Sequence, residues 1–484
     1  MKTNMILLAV VAMSATFPTL GAVLAAPEIE NMNLVRDANT HLVTISYDLS
    51  DDAIVTAQVF TNGVALPQCA YGNMGGKVHR VVTQGTGHQI WWNPPTREMD
   101  ALVAAGSAEV KLSAWAKDDP PDYLAIDLLA TNCWRFYVTA EDVPLGVTNR
   151  LYKNSKLLMR KIYAKDITWP AGISSDRMNG TETYSGTNLL HRPHYVTLTY
   201  NYYIGVYEVT YSQYRNAASW SYAGNTYAYT EEKDIIPADQ PQAIYWPTLR
   251  LKVEDMRGHT PTSAYWPTHG HAVPAESGVG KFRRRTGLDL DLTTEAEWEY
   301  ACRAGESMAL YTGEKLNLAN FSKIGWAADN WQNDPACPSN QLHEVGLLRP
   351  NKWGLYDMLG NGFEVCLDVM SDKSTDPYQI DPYKGEDVVD PVGPTAEQGA
   401  AAQQEGGTYV DKNGKTQYTW PNYVTATGRR ARRGGSVFSS TSSSPTAPMN
   451  HTSCRTDSRA NISYSGNTDY PSNAYRLALP AVIP

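Results

Sequence analysis

The chain has 484 residues, enough for two domains or one large one with a substantial core. It is 42% hydrophobic and 19% charged, as globular proteins are, and a net charge of −9 disfavours nucleic acid as a general partner. Tyrosine is frequent (30) and phenylalanine scarce (7), which suits half-wet packing with a polar tip and is read first as packing near the surface.

The first residues, MKTNMILLAVVAMSATFPTLGAVLAAP, place Lys2 before an apolar run and small residues before Pro27. That is the pattern of a secretory signal peptide over residues 1–25, cut just after Ala25. As a spanning helix the segment is short and broken by Pro18, and no later stretch is apolar enough to cross a bilayer. The expectation is a secreted, periplasmic or cell-surface protein with no transmembrane segment once the signal is removed. Export makes disulfides an option for the six cysteines. Cys69 and Cys133 form one plausible pair, and Cys302, Cys337, Cys366 and Cys454 allow three connectivities. Buried unpaired thiols are the alternative.

Residues 27–143 read as all-β. HLVTISYDLS alternates apolar and polar positions from Leu42 to Leu49, and AIVTAQVFTNGVAL is a strand, an Asn62-Gly63 turn and a second short strand. HQIWWNPP and EVKLSAWAKDD continue the series, which predicts an immunoglobulin- or fibronectin-like sandwich with a spacer or adhesion role. AEDVPLGVTNR reads as a linker, and a second domain over 150–482 follows, with short helices among irregular connections. Thr210 with Gln213 and Thr294 with Glu297 have capping-box spacing, and Gly305 is the expected cap at the end of the second helix. Residues 374–427 are polar and predict a long surface insertion with one hairpin around DKNGK. No internal repeat is present.

Several motifs carry chemistry. In DMLGNGFE, Asp357 and Glu364 flank a glycine-rich turn able to direct carbonyls inward, a donor set suited to Ca²⁺; a solvated acidic turn is the plain alternative. HGHAVPAE brings His269, His271 and Glu276 close together, a pattern that is more often a solvated loop than a metal site. GRRARRGGS is basic, but Arg432 or Arg433 is expected to pair with core carboxylates rather than with nucleic acid.

Four phrases occur in fixed order: IGVYEVTYSQY (204–214), LTTEAEWEYACRAG (292–305), NKWGLYDMLGNGFEVCLD (351–368) and RRGGSVFSS (432–440). Together they resemble the sulfatase-modifying-factor family, whose founding activity is that of the formylglycine-generating enzyme. NAYRLALP at 473–480 is similar to the family's closing Gly-Phe-Arg strand, with Ala474 and Tyr475 in place of Gly-Phe. The resemblance implies an α+β domain related to the C-type lectin fold and low in regular secondary structure. It also implies structural calcium, held by the side chains of Asp357 and Glu364 with the carbonyls of Gly360 and Gly362. A second ion would involve Asn320 and Phe321, with Asp329 or Asn330 open as further ligands.

The family's oxidase chemistry uses copper(I) on two cysteine thiolates, three and eight residues after the Gly-Gly-Ser turn. Here Ser436 ends that turn, and Ser439 and Ser444 stand at the two thiolate positions. A hydroxyl is a hard, neutral ligand and does not replace a thiolate on Cu(I). Cys454 is the only nearby thiol, in a CRTDSR phrase that resembles another family element. A different gap placement brings His451 and Cys454 toward the groove, yet one thiol makes no bis-thiolate site. The family's GN-small-Trp-Glu-Trp also departs, with Phe363 and Val365 at the tryptophans, and Asp291 and Thr293 replace an Arg and a Pro. The resulting expectation is a calcium-stabilised binding or accessory module for a peptide, glycan or exported protein, without copper. The alternatives are a formylglycine-generating or related oxidase acting on a cysteine of an exported protein, and an envelope structural protein.

Overall fold

Alternation of apolar and polar residues builds the first unit. In the computed structural model the described residues are 26–172, 194–218, 241–248, 256–257, 273–333, 342–370, 387–391, 408–410, 416–418, 429–439, 454–463 and 473–484. Strands β1 (Ile29–Arg36), β2 (Val43–Leu49), β3 (Ala53–Thr61), β4 (Val64–Ala65), β5 (Met74–Gly76), β6 (Arg80–Val82), β7 (Gly85–Trp92) and β8 (Ala108–Trp115) come first, with helices α1 (Gln68–Tyr71) and α2 (Arg97–Ala104). They form two antiparallel sheets, β1-β2-β7-β5 and β4-β3-β6 with β8 on β3. Val43, Ile45, Tyr47 and Leu49 are buried at period two and share a core with Val55, Val59, Ile90 and Trp92. Asn62 (φ 51°) and Gly63 (φ 77°) make the tight turn between β3 and β4 as expected.

The second unit opens earlier than the sequence pattern suggests. Strands β9 (Tyr123–Asp127) and β10 (Trp134–Tyr137) extend the β texture of the first unit in sequence, but they pair with β11 (Lys156–Ile162) of the second. Alternation marks a half-buried strand and carries no information on which sheet it joins, so these two strands lie within the expected span 27–143 yet sit in the main sheet with β11. Next come β12 (Ile167–Ala171), β13 (His194–Leu198), β14 (Tyr202–Gly205), α3 (Tyr211–Ala218), α4 (Gly278–Thr286), β15 (Asp291–Leu292), α5 (Glu295–Arg303) and α6 (Leu318–Phe321). The chain continues with β16 (Phe363–Met370), β17 (Val388–Val389), β18 (Thr408–Val410), β19 (Thr416–Tyr418), β20 (Arg429–Arg433), β21 (Arg459–Ser463), β22 (Asn473–Ala474) and β23 (Leu477–Pro480). The main sheet runs β10-β9-β11-β14-β23-β15, and a second runs β21-β20-β16-β22. This is an α+β domain with short elements.

The junction between the units is closely fitted, which the spacer expectation did not foresee. The buried Lys161 ammonium donates to the Asp119 carboxylate and, at 2.8 Å, to the Pro120 carbonyl; the Tyr203 hydroxyl donates to Pro121 O. Arg160 pairs with Asp122 at 2.6 Å, and Ile54 of β3 packs in one cluster with Leu124, Ile126 and Leu157. His79 stitches β3 to β10. Its backbone N–H donates to Val55 O at 2.6 Å, its carbonyl accepts from Phe136 N at 2.9 Å, and its Nδ1 lies 2.9 Å from Phe136 O.

Both capping boxes form: Thr210 N–H donates to Gln213 Oε1 and Gln213 N–H to Thr210 Oγ1, and Thr294 with Glu297 repeats the pattern on α5. The left-handed cap of α5 is Ala304 (φ 47°) rather than Gly305, which follows it at φ 86°. β18 and β19 are the hairpin expected around DKNGK. No disulfide joins any two of the described cysteines: Cys69 is exposed in the first unit and Cys133 belongs to the second, so the expected pair does not form. Cys337 lies outside the described residues. Among the described residues no helix is long and apolar enough to cross a membrane.

Candidate functional site

Two glycine turns, one on each of the paired strands β16 and β20, form the centre of the site. Residues 360–362 lead into β16 and 434–436 lead out of β20, with Glu364 opposite Arg433. Gly434 (φ 85°) and Gly435 (φ 76°) occupy left-handed backbone, and a Cβ on Gly434 would lie 2.9 Å from Met358 O. Gly360 N–H donates to Gly434 O at 2.7 Å, and Val437 N–H to Asn361 O at 2.9 Å, so the turns are stitched together. Between the glycines, Asn361 (φ 56°) is fully buried and ties four segments. Its backbone N–H donates to Trp326 O (2.9 Å), its Oδ1 accepts from His343 N–H (3.0 Å), and its Nδ2 donates to Glu208 Oε2 (2.9 Å). Asparagine tolerates this backbone and carries both donor and acceptor, which is why it fits here.

Buried charges lie under the turns. Glu364 accepts from Arg476 at 2.8 Å and from Trp298 Nε1 at 2.8 Å, while Arg476 also donates to Gly205 O and Tyr356 O. Glu208 accepts from Gly362 N–H at 3.1 Å; burial, then the nearby Glu364 and Asp357 charges, push its carboxyl well above the usual range. Arg433 pairs with Glu295 (3.2 Å) and Glu299, as the sequence anticipated for Arg432 or Arg433. Arg432 instead places its guanidinium 4.0 Å over the Phe363 ring. Asp291, the residue at the family's arginine, is buried against Arg257 at 2.7 Å.

Ser436 and Ser439, the described members of the serine run, lie on a turn beyond the end of β20 at Arg433. Ser436 is buried, and its N–H donates to Ser439 Oγ at 3.0 Å. The Ser439 N–H returns to Ser436 O at 2.8 Å, and the two hydroxyl oxygens are 3.5 Å apart. The hydroxyls are thus folded back onto their own turn. Cys454 is buried in the cluster of Trp298, Cys302 and Met358, with its sulfur where a Cβ on Gly435 would fall. Ser444 and His451 lie outside the described residues. Among the described residues, the Ser436 and Ser439 hydroxyls are hard donors, whereas Cu(I) asks for a soft pair. Beside the turn, Phe438 is exposed, and His343 stacks on Trp326 with ring centroids 4.0 Å apart.

The calcium expectations meet a mixed geometry. Asp357 is buried; its Oδ2 accepts from Gly346 N–H at 2.5 Å and its Oδ1 has no hydrogen-bond partner, which suits a cation. Glu364 does not, being held by Arg476. Asn320 sits on α6 with its Oδ1 3.0 Å from Lys323 Nζ, and Phe321 is a core ring. Asn330 uses its amide on Ala327 N–H and Gly325 O. Glu276 is exposed opposite Arg284, while His269 and His271 fall outside the described residues. Among the described residues no three His, Cys, Asp or Glu side chains gather as metal ligands do. Sequence reading missed Asn361, Glu208 and the Trp326–His343 stack. An Asn set between two glycines was the available signal for the first.

Residues 165–462, more than half of the chain, match the family model described as the sulfatase-modifying factor enzyme 1-like domain. The chain belongs to this family. It is 34% identical over 128 residues to a formylglycine-generating enzyme of Streptomyces coelicolor, covering 25% of this chain and 36% of that one. It is 30% identical over 126 residues to a formylglycine-generating enzyme of Bos taurus, covering 25% and 30%. The aligned region is thus about a third of the length of these curated relatives. PvdO from Pseudomonas aeruginosa, a solved structure, is 17% identical over 66% of this chain and 93% of that one, with a TM-score of 0.39.

Proposed function

We propose that this sulfatase-modifying-factor-family protein is an exported binding or accessory module that has lost copper oxidase chemistry. The observation that carries the reading is the turn at Ser436–Ser439, where hydroxyls bonded to their own backbone stand in place of the first thiolate. The serine at the second position, Ser444, follows from the sequence. Hard hydroxyls do not hold Cu(I), so the oxidation of a substrate cysteine has no metal to run on. The remaining surface offers the exposed Phe438 ring beside the turn, an anchor suited to a peptide or glycan of an exported partner. Export itself rests on the signal-like residues 1–25. Calcium is left out of this reading because Glu364 is engaged by Arg476. The competing reading, a formylglycine-generating oxidase, draws on the names of the two curated relatives. Incubating the full chain with Cu(I) and a cysteine-containing sulfatase peptide, then following aldehyde formation by mass spectrometry, separates the two. No aldehyde supports the module, and multiple turnovers support the oxidase.

A further inference from the structure

We propose that the outer face of the sheet β1-β2-β7-β5, in the first unit, is a binding site for neutral oligosaccharides, with Trp91 as its stacking ring. The face follows from the pleat. Val43, Ile45, Ile90 and Trp92 are buried in the sandwich, so the residues between them point outward. Strand register sets the outward residues in rows across the sheet: Val35–Thr44–Trp91–Gly75, and beside it Asn33–Ser46–Gln89. Trp91 is 48% exposed. Its Cε3 lies 4.0 Å from the place where a Cβ on Gly75 would stand, so the indole rests across β5 where that strand has no side chain. The rest of the ring meets solvent.

An indole face is the negative side of its quadrupole, and it takes the C–H-bearing face of a pyranose ring. The adjacent row supplies the amides and hydroxyl of Asn33, Gln89 and Ser46, which both donate and accept, as sugar hydroxyls require. Asp48 lies one row further on, with Glu30 as its register partner on β1. Asn31 Nδ2 donates to its Oδ2 at 2.8 Å and Gly87 N–H to its Oδ1 at 2.7 Å, which fixes a charged acceptor for further hydroxyl protons. From the row of Trp91 to that of Asp48 is about 14 Å along the strands, the length of roughly two to three sugar rings.

Charge and area narrow the occupant. Asp48 and Glu30, against Lys77 at the β5 edge beside Gln89, leave the face net negative, which disfavours sulfated or uronate chains, acidic peptides and nucleic acid. Three strand spacings by four residues make a platform of roughly 200 Å², about a quarter of what each partner contributes to a stable protein interface. A few sugar rings fit that area, and a second copy of this chain does not.

The test is titration calorimetry of the full chain with cellohexaose, xylohexaose, mannohexaose and chitohexaose, and with a heparin hexasaccharide as the anionic arm. At least one neutral chain should bind, and Trp91→Ala should weaken it about tenfold. Gln89→Ala leaves the indole over Gly75 and should also weaken binding, so it decides the matter if thermal unfolding shows that Trp91→Ala does not fold. Phe438→Ala should leave the affinity unchanged, which keeps the outcome separate from the reading of the Ser436–Ser439 turn. Failure of every neutral chain to bind would overturn the proposal, as would binding of the heparin hexasaccharide alone. Unchanged affinity in a folded Trp91→Ala would do the same, as would a dimer that this variant abolishes in the absence of any sugar binding.

Discussion

His79 offers the sharpest test of the way the two units are joined. Its imidazole is buried between β3 and β10, and burial pushes its pKa from 6.5 down to about 4. The Nδ1 contact with a carbonyl requires a proton on Nδ1, and burial is what disfavours the second proton on the ring. Because the folded pKa is depressed, the stabilisation is present above pH 6.5 and is lost as pH falls from 6.5 toward 4. The shift corresponds to roughly 3 kcal/mol over that window. The informative variant is His79→Asn. Asparagine tolerates the left-handed backbone of this position (φ 56°) and can offer a donor near the place of Nδ1, but it does not titrate. Urea unfolding of both proteins at a series of pH values from 4 to 7 cancels the carboxylates common to the two. The wild type should lose roughly 3 kcal/mol relative to the variant on going from pH 7 to pH 4. Parallel curves would refute the claim that a buried neutral histidine locks the junction.

Two substitutions probe the centre of the second unit. Arg476→Met should cost about 3–5 kcal/mol by leaving Glu364 buried without its partner. Combining it with Glu364→Gln should restore part of the loss, and urea midpoints measure both. Gly435→Ala forces a left-handed backbone on a residue with a Cβ and drives that Cβ into Cys454, so it should lower Tm well beyond Gly63→Ala, which meets open space at a similar φ. Equal shifts in the two variants would mean that Cys454 does not pack under the turn.

Much of the fold was legible in local patterns, because they encode local physics. Period-two burial on β2, the Asn62-Gly63 turn and the two capping boxes are each fixed by residues within a few positions of one another. The order of the four family phrases then identified the second domain without any coordinates. What the sequence did not reveal was partnership at long range. The strands at 123–127 and 134–137 carry the same alternation whichever sheet they join, and only their pairing with residues 156–162 decides it. The same holds for the charged residues. Glu364 reads as a carboxylate beside a glycine-rich turn, and the 112 residues that separate it from Arg476 conceal the pair that forms. Serine at 439 was visible in the sequence; that its hydroxyl accepts from Ser436 N–H was not.

The most direct measurement of the central claim is an anaerobic Cu(I) titration of the full chain, against a competing chelator, beside a Ser439→Cys/Ser444→Cys double variant. The account predicts no competitive Cu(I) uptake by the wild-type protein and no aldehyde from a cysteine-containing sulfatase peptide. Stoichiometric Cu(I) binding by the wild type, accompanied by aldehyde formation, would contradict it.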